Sequence, residues 1–366
     1  MTAADTATNA WLAQIPPSEQ LAAAMATHAQ LWSWALTGAV VLLVSLLALK
    51  IGALGRLRGL VDPDGRKPWI AGAVTAAAFT GALLIATAPF ALMQGAAPIE
   101  LAGSDARALL AAIAGWAVFF AVARVRPTTW WAWLGPAAAA AMVAYAWCPY
   151  VMDGGAAPAP APAGPVTAAV EQLIAETGLP AAGVQLEPGA GFDADVTGGF
   201  GRARVSVTRA ALEAPPAEVR AYVGHLLGHY AHRDILTLAL VLGTLVLAGT
   251  LAVAFGFAPL ARLLAVRGVD HPSDPAGLPL VAIILVGVVV LGSPIVAAVG
   301  RAVNVRADQY ALDHAREPDG LAAVLIRDWD HKAIAPGPVE EALFYRHPPL
   351  ASRIRHAVAW KQARRR

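Results

Sequence analysis

The chain has 366 residues, 57% of them hydrophobic and only 14% charged, with a mean hydropathy of +0.56. A soluble domain carries roughly a quarter charged residues, so the composition excludes an ordinary water-soluble globule and points to an integral membrane protein. The net charge of +2 is too small to make nucleic acid a partner, and the single cysteine, Cys148, excludes an intramolecular disulfide and a thiolate zinc cluster.

Residues 1–30 form an N-terminal segment with Asp5 and Glu19 but no Lys or Arg, so no cleaved secretory signal is read there. Apolar runs of the about 20 residues that cross a bilayer lie near 31–52, 69–93, 108–125, 129–147, 235–258 and 277–299. The first four make a membrane region over 31–147. Trp130, Trp131 and Trp133 suit the headgroup layer at the start of the fourth span. An Ala/Pro-rich stretch over 148–165 predicts an extended spacer. Residues 166–366 then form a more polar domain with a transmembrane hairpin inserted at about 235–299.

Within that domain, Val166–Thr177 reads as a helix stopped by Gly178 and Pro180, and Gly183–Glu187 as a short strand. Gly191–Gly201 reads as turns. Ala203–Thr208 alternates Val205 and Val207 with polar neighbours, as a half-buried strand does. Pro215-Pro216 begins a helix, with Glu218 in its dipole-favoured first turn. That helix carries His225 and His229, which lie one turn apart on one face and can share a metal ion. Asn304–Asp313 continues the last span as helix, and Glu340–Arg366 predicts a basic helix with an arginine tail. The short connections holding Lys50, Arg56, Arg58, Arg66, Lys67, Arg124, Arg126, Arg262 and Arg267 share one face, which the positive-inside rule makes cytoplasmic. The histidine helix then falls on the other side.

Three ordered motifs stand out: Gly224-His225-x-x-Gly228-His229-x-x-His232, Arg306-x-x-Gln309-Tyr310-x-x-Asp313, and His347-Pro348-Pro349-Leu350-x-x-Arg353. Their order and spacing resemble the membrane zinc metalloendopeptidases typified by CAAX prenyl protease 1 and HtpX. The resemblance implies a mostly α membrane protein of about six transmembrane helices with a small α+β zincin-like domain. It makes His225 and His229 zinc ligands and sets Gln309 where the family has its third ligand, a glutamate. Asp313 matches the carboxylate that holds a ligand histidine by its other ring nitrogen, and Arg306 a structural arginine. His347 and Arg353 match residues on the oxyanion side. Asp193-Ala194-Asp195-Val196-Thr197-Gly198 is similar to the family's Asn-Ala-Tyr-x-x-Gly segment. By the same resemblance Asp193 and Asp195, with Val205 and Val207 on a following edge strand, would meet an extended substrate.

Two departures matter chemically. The family's general-base glutamate is Leu226, which cannot titrate, and the anionic ligand is the neutral amide of Gln309. Zinc is therefore expected to bind weakly or not at all. The leading expectation is a pseudoprotease that binds polypeptide or membrane-protein partners in the lipid bilayer, of bacterial inner-membrane type. An active zinc endopeptidase with another base, from His232, Asp195, Asp308 or the Glu340-Glu341 pair, is the alternative. A non-enzymatic structural or transport component is the third.

Overall fold

The structure is a computed structural model that describes residues 2–93, 97–151, 159–198 and 203–364. Helices α1 (Ala3–Leu12), α2 (Pro17–Ile51), α3 (Ala53–Val61), α4 (Pro68–Met93), α5 (Pro98–Val125), α6 (Trp130–Val151) and α7 (Pro165–Thr177) lead into strands β1 (Ala181–Glu187), β2 (Ala194–Thr197) and β3 (Ala203–Thr208). Then follow α8 (Arg209–Leu212), α9 (Pro216–His232), α10 (Asp234–Leu263), α11 (Leu278–His314), α12 (Pro318–Arg327), α13 (Pro338–Phe344) and α14 (Leu350–Ala363). Six helices, α2, α4, α5, α6, α10 and α11, are long and apolar enough to cross a membrane.

Helix α5 begins at Pro98, earlier than its apolar run, because Glu100, Ser104, Asp105 and Arg107 continue the helix in polar turns that a hydropathy window rejects. Strand β2 lies where only turns were expected. Asp193 and Asp195 disfavour a strand locally, and pairing with β3 overrides that preference. The C-terminal segment is two helices, broken at Tyr345–Pro349, where the proline pair cannot continue a helix. Of the Ala/Pro-rich spacer, residues 152–158 lie outside the described residues. Its end is pinned to β1, through Ala161 N–H to Val184 O at 3.0 Å and Leu186 N–H to Ala159 O at 2.8 Å. Arg365 and Arg366 of the arginine tail also lie outside the described residues.

The chain divides into two compact units. One comprises Ala29–Met142 and Leu242–Gly292. In it α4 and α5 approach closely because Gly72 has no side chain: a Cβ there would sit 1.8 Å from the Trp116 ring. Trp116 stacks on Phe120 with ring centroids 5.0 Å apart, and Trp69 meets Phe120 edge-on at 4.8 Å. Such aromatic geometry adds to simple contact area.

The other unit comprises Met1–His28, Val143–Val241 and Ser293–Arg366. Its sheet has the order β1-β3-β2, with β1 parallel and β2 antiparallel to the central β3. Val166, Val170 and Leu173 of α7 and Val219, Val223 and Leu227 of α9 pack with Val205 and Val207 of β3 in one core. Those α9 residues recur every fourth position and so form one face of the helix. A second core gathers Ala221 of α9, Leu312 of α11, Leu321 of α12 and Ile354 of α14, with Ile15 and Ala23 from the N-terminal segment. A third face of α9 is glycine. Gly224 lies against Ala311 and Ala315, and Gly228 against Ala307 and Tyr310, where a Cβ would come within 3.0 Å of the Ala307 Cα. Small residues on both helices let the two backbones meet.

Candidate metal centre

Three faces of α9 are thus committed to the sheet, to α12 and α14, and to α11. The remaining positions are His225, which is buried against Asp308 of α11, and His229, which is partly buried beside it. Two carboxylates meet them from behind. His225 Nδ1 lies 2.8 Å from Asp308 Oδ1, and His229 Nδ1 lies 2.8 Å from Asp234 Oδ2. The Asp234 contact depends on the helix end. Arg233 turns the chain in the left-handed region, φ 56°, between α9 and α10, which brings Asp234 back onto the ring five residues earlier. The Asp308 and Asp234 side chains are 3% and 1% exposed, and each has a cationic partner. Arg353 grips Asp308 with two bonds of 2.7 Å, from Nε and one terminal nitrogen, and Arg306 pairs with Asp234. Buried carboxylates require such pairing, and the fork of Arg353 supplies it with fixed geometry.

An ionised carboxylate only accepts hydrogen bonds, so each imidazole carries its proton on Nδ1. The two Nε2 atoms face one another 3.1 Å apart, a spacing that suits a proton shared between the rings or a cation held by both. Burial pushes the His225 pKa down to about 4 against the opposing pull of Asp308, which keeps the ring neutral near pH 7. Nitrogens sharing one tetrahedral zinc would be about 3.3 Å apart, so the pair fits two coordination positions. The carboxylate–histidine arrangement also matches the way metal ligands are oriented.

The family model for peptidase family M48 matches residues 160–361, over half of the chain. The chain belongs to peptidase family M48. Among solved structures, the crystal structure of S. mikatae Ste24p is similar, with TM-score 0.54 and 14% identity over 94% of this chain and 99% of that one. At that identity the likeness shows a shared fold. No curated protein sequence matches.

Members of M48 are usually zinc-dependent, and the residues here fit such an ion only in part. A catalytic zinc site takes three protein ligands and one open position for water. Among the described residues no group of three or more His, Cys, Asp or Glu side chains could hold a metal ion. Gln309, expected as the third ligand, faces away from the histidines. Its amide nitrogen donates to Asp313 Oδ2 at 2.7 Å, and its oxygen lies 2.9 Å from His356 Nε2. Asp313, expected behind a ligand histidine, is instead held by Gln309, by Trp360 at 3.0 Å and by Arg364. The carboxylates behind the histidines are Asp308 and Asp234. Neighbouring residues of a helix point about 100° apart, and it is Asp308 that faces α9.

Leu226 is partly buried against the sheet core. Val205 and Val207 are fully buried on the central strand, so neither can meet a substrate laid on an edge. Arg353 lies within the site, but its guanidinium is committed to Asp308. His347 keeps a solvent-exposed face beside it. Desolvation first, then the charges of Arg353 and His225, hold its pKa below the ordinary histidine value.

Of the alternative bases, Asp308 is in the site but is committed to His225 Nδ1 and Arg353, and the others lie elsewhere. His232 Nδ1 donates to Gly228 O at 2.7 Å. Glu340 pairs with His28, Glu341 with Arg301, and Asp195 accepts from Val196 N–H. Among the described residues, no carboxylate hydrogen-bonds either Nε2 atom. Asp234 and His356 escaped the sequence reading. The signal for Asp234 was a buried acid at the mouth of an apolar span, a costly placement that asks for a named partner.

Proposed function

We propose that this M48-family membrane protein is a pseudoprotease, which binds polypeptide without hydrolysing it. The observation that supports this most is the state of the histidine pair. Its Nε2 atoms converge, yet among the described residues no carboxylate hydrogen-bonds either of them. A zinc ion held by three ligands would supply an activated water there, but two imidazoles without a third anionic ligand bind it poorly. A general base must sit within hydrogen-bond reach of that water, and the position that provides one in the family is Leu226. We place the protein in a membrane of bacterial inner-membrane type, with the basic connections cytoplasmic and α9 on the opposite side.

Restoration tests the proposal. Leu226→Glu restores a base on α9 and leaves both imidazoles and the carboxylates behind them in place. With added zinc this variant should show weak cleavage of an unfolded peptide, absent from the parent. Adding Gln309→Glu should raise neither zinc binding nor cleavage further, because the position 309 side chain is turned toward Asp313 and His356. Efficient zinc-dependent cleavage by the parent protein would overturn the proposal in favour of an active endopeptidase.

A further inference from the structure

Strand β2 has an open edge, and its register shows which groups it presents. Thr208 N–H donates to Asp193 O at 3.0 Å, and Asp195 and Thr197 lie opposite Ser206 and Arg204. Odd-numbered residues of β2 therefore turn their backbone toward β3, and Ala194 and Val196 turn theirs outward. The two outward N–H groups are held by the side chains that precede them. Ala194 N–H donates to Asp193 Oδ1 and Val196 N–H to Asp195 Oδ1, each at 2.8 Å. Among the described residues the outward carbonyls of Ala194 and Val196 accept no bond. The open stretch ends where Gly198 N–H donates to Tyr150 O at 2.8 Å.

The charge along this edge is one-sided. Burial first, and then neighbouring negative charge, raise the Asp195 and Asp328 carboxyls: Glu187 and Asp193 act on Asp195, and Asp193 acts on Asp328. None of Asp193, Asp195 and Asp328 is paired with a basic side chain among the described residues. The neighbouring cations are engaged: Arg327 with Glu218 at 2.7 Å, Arg353 with Asp308, and Arg204 with a partner of its own. Among the described residues the one side-chain donor to the Asp193 carboxylate is the Tyr222 hydroxyl, at 3.3 Å.

We infer that the β2 edge receives an extended polypeptide carrying lysine or arginine at alternate positions, with Asp193 and Asp195 as its specificity-determining residues. An added strand must take the two outward N–H groups from the carboxylates that hold them. The released carboxylates lose those donors, and cationic side chains on the added strand replace them better than neutral ones do. Asp193 and Asp195 are two residues apart on one face, so the matching cations on a paired strand are also two apart. This inference rests on the polypeptide-binding reading above and specifies its ligand.

The test uses the full-length protein in non-ionic detergent and fluorescence anisotropy. The probes are a short peptide with lysine at alternate positions, its glutamine counterpart, and the lysine peptide N-methylated at alternate residues. The lysine peptide should bind about tenfold more tightly than the glutamine one, and salt should erode the difference. Asp193→Asn with Asp195→Asn should abolish the preference at unchanged melting temperature, because an amide oxygen still accepts from the same N–H groups. N-methylation should weaken binding in the parent protein. Equal affinity for the lysine and glutamine peptides would overturn the inference and leave general polypeptide binding standing. Indifference to N-methylation would overturn strand addition. A dimer that dissociates in the double variant would assign the edge to a second copy and also overturn it. Cleavage of the bound lysine peptide would defeat the pseudoprotease reading while leaving the edge assignment intact.

Discussion

Asp308 carries more of the site than any other single side chain. It accepts from Arg353 twice and from His225, with almost no exposure to water. Removing a buried carboxylate leaves its cation unpaired, which costs about 3–5 kcal/mol. Asp308→Ala should lower stability by that order in chemical unfolding in detergent, whereas Gln309→Ala, whose partners are partly exposed, should cost far less. Equal losses would mean that the two positions had been exchanged. Acid tests the same pair. The unfolded His225 takes up a proton below about 6.5, the folded one only near 4. Its contribution is complete above pH 6.5 and is lost as pH falls toward 4. The melting temperature should therefore decline across that window, with a shallower slope in His225→Gln. A flat profile in the parent would show that His225 is not desolvated. The histidine pair was legible from its spacing alone. The side chains behind it were not, because adjacent positions such as 308 and 309 differ in direction, and only the packing of α9 on α11 decides which faces inward.

At the scale of elements, the α9–α11 contact sets the pocket. Gly224 and Gly228 meet Ala307, Ala311 and Ala315, so the histidine face of α9 is held at one depth against α11. A methyl at Gly228 would press on the Ala307 backbone at 3.0 Å, and overpacking of this kind costs typically about 1–3 kcal/mol. Gly228→Ala should lower the melting temperature and weaken any metal affinity together, whereas Gly191→Ala, in open space, should do neither. A stable Gly228→Ala protein with unchanged metal affinity would show that this close approach is not needed. Most helices could be read from sequence, because spans announce themselves by length and α7 and α9 by their glycine and proline boundaries. Strand β2 could not, since its residues prefer turns and only β3 makes them a strand. The sheet order could not be read either. Alternation marked β3 as half-buried, but a strand flanked on both sides loses its free edge, and nothing in Ala203–Thr208 itself reports a partner on each side.

For the whole molecule, six helices are long and apolar enough to cross a membrane, and the proposed topology, in which each crosses once, puts both described ends of the chain on one side of the bilayer. The connections between α2 and α4, α5 and α6, and α10 and α11 carry Arg56, Arg58, Arg66, Lys67, Arg126 and Arg267 on the other side. Our proposed orientation, from the positive-inside rule, puts these connections in the cytoplasm. A C-terminal alkaline phosphatase fusion should be active in a bacterial host and a fluorescent-protein fusion dark, and the reverse pattern would invert the topology. The central chemical question needs one measurement more than any other: incubation of the purified full-length protein with zinc and an unfolded fluorogenic peptide. A pocket of two carboxylate-backed imidazoles with no base before them predicts no chelator-sensitive cleavage above that of a His225→Ala control. Turnover that disappears with chelator and in the control would contradict it.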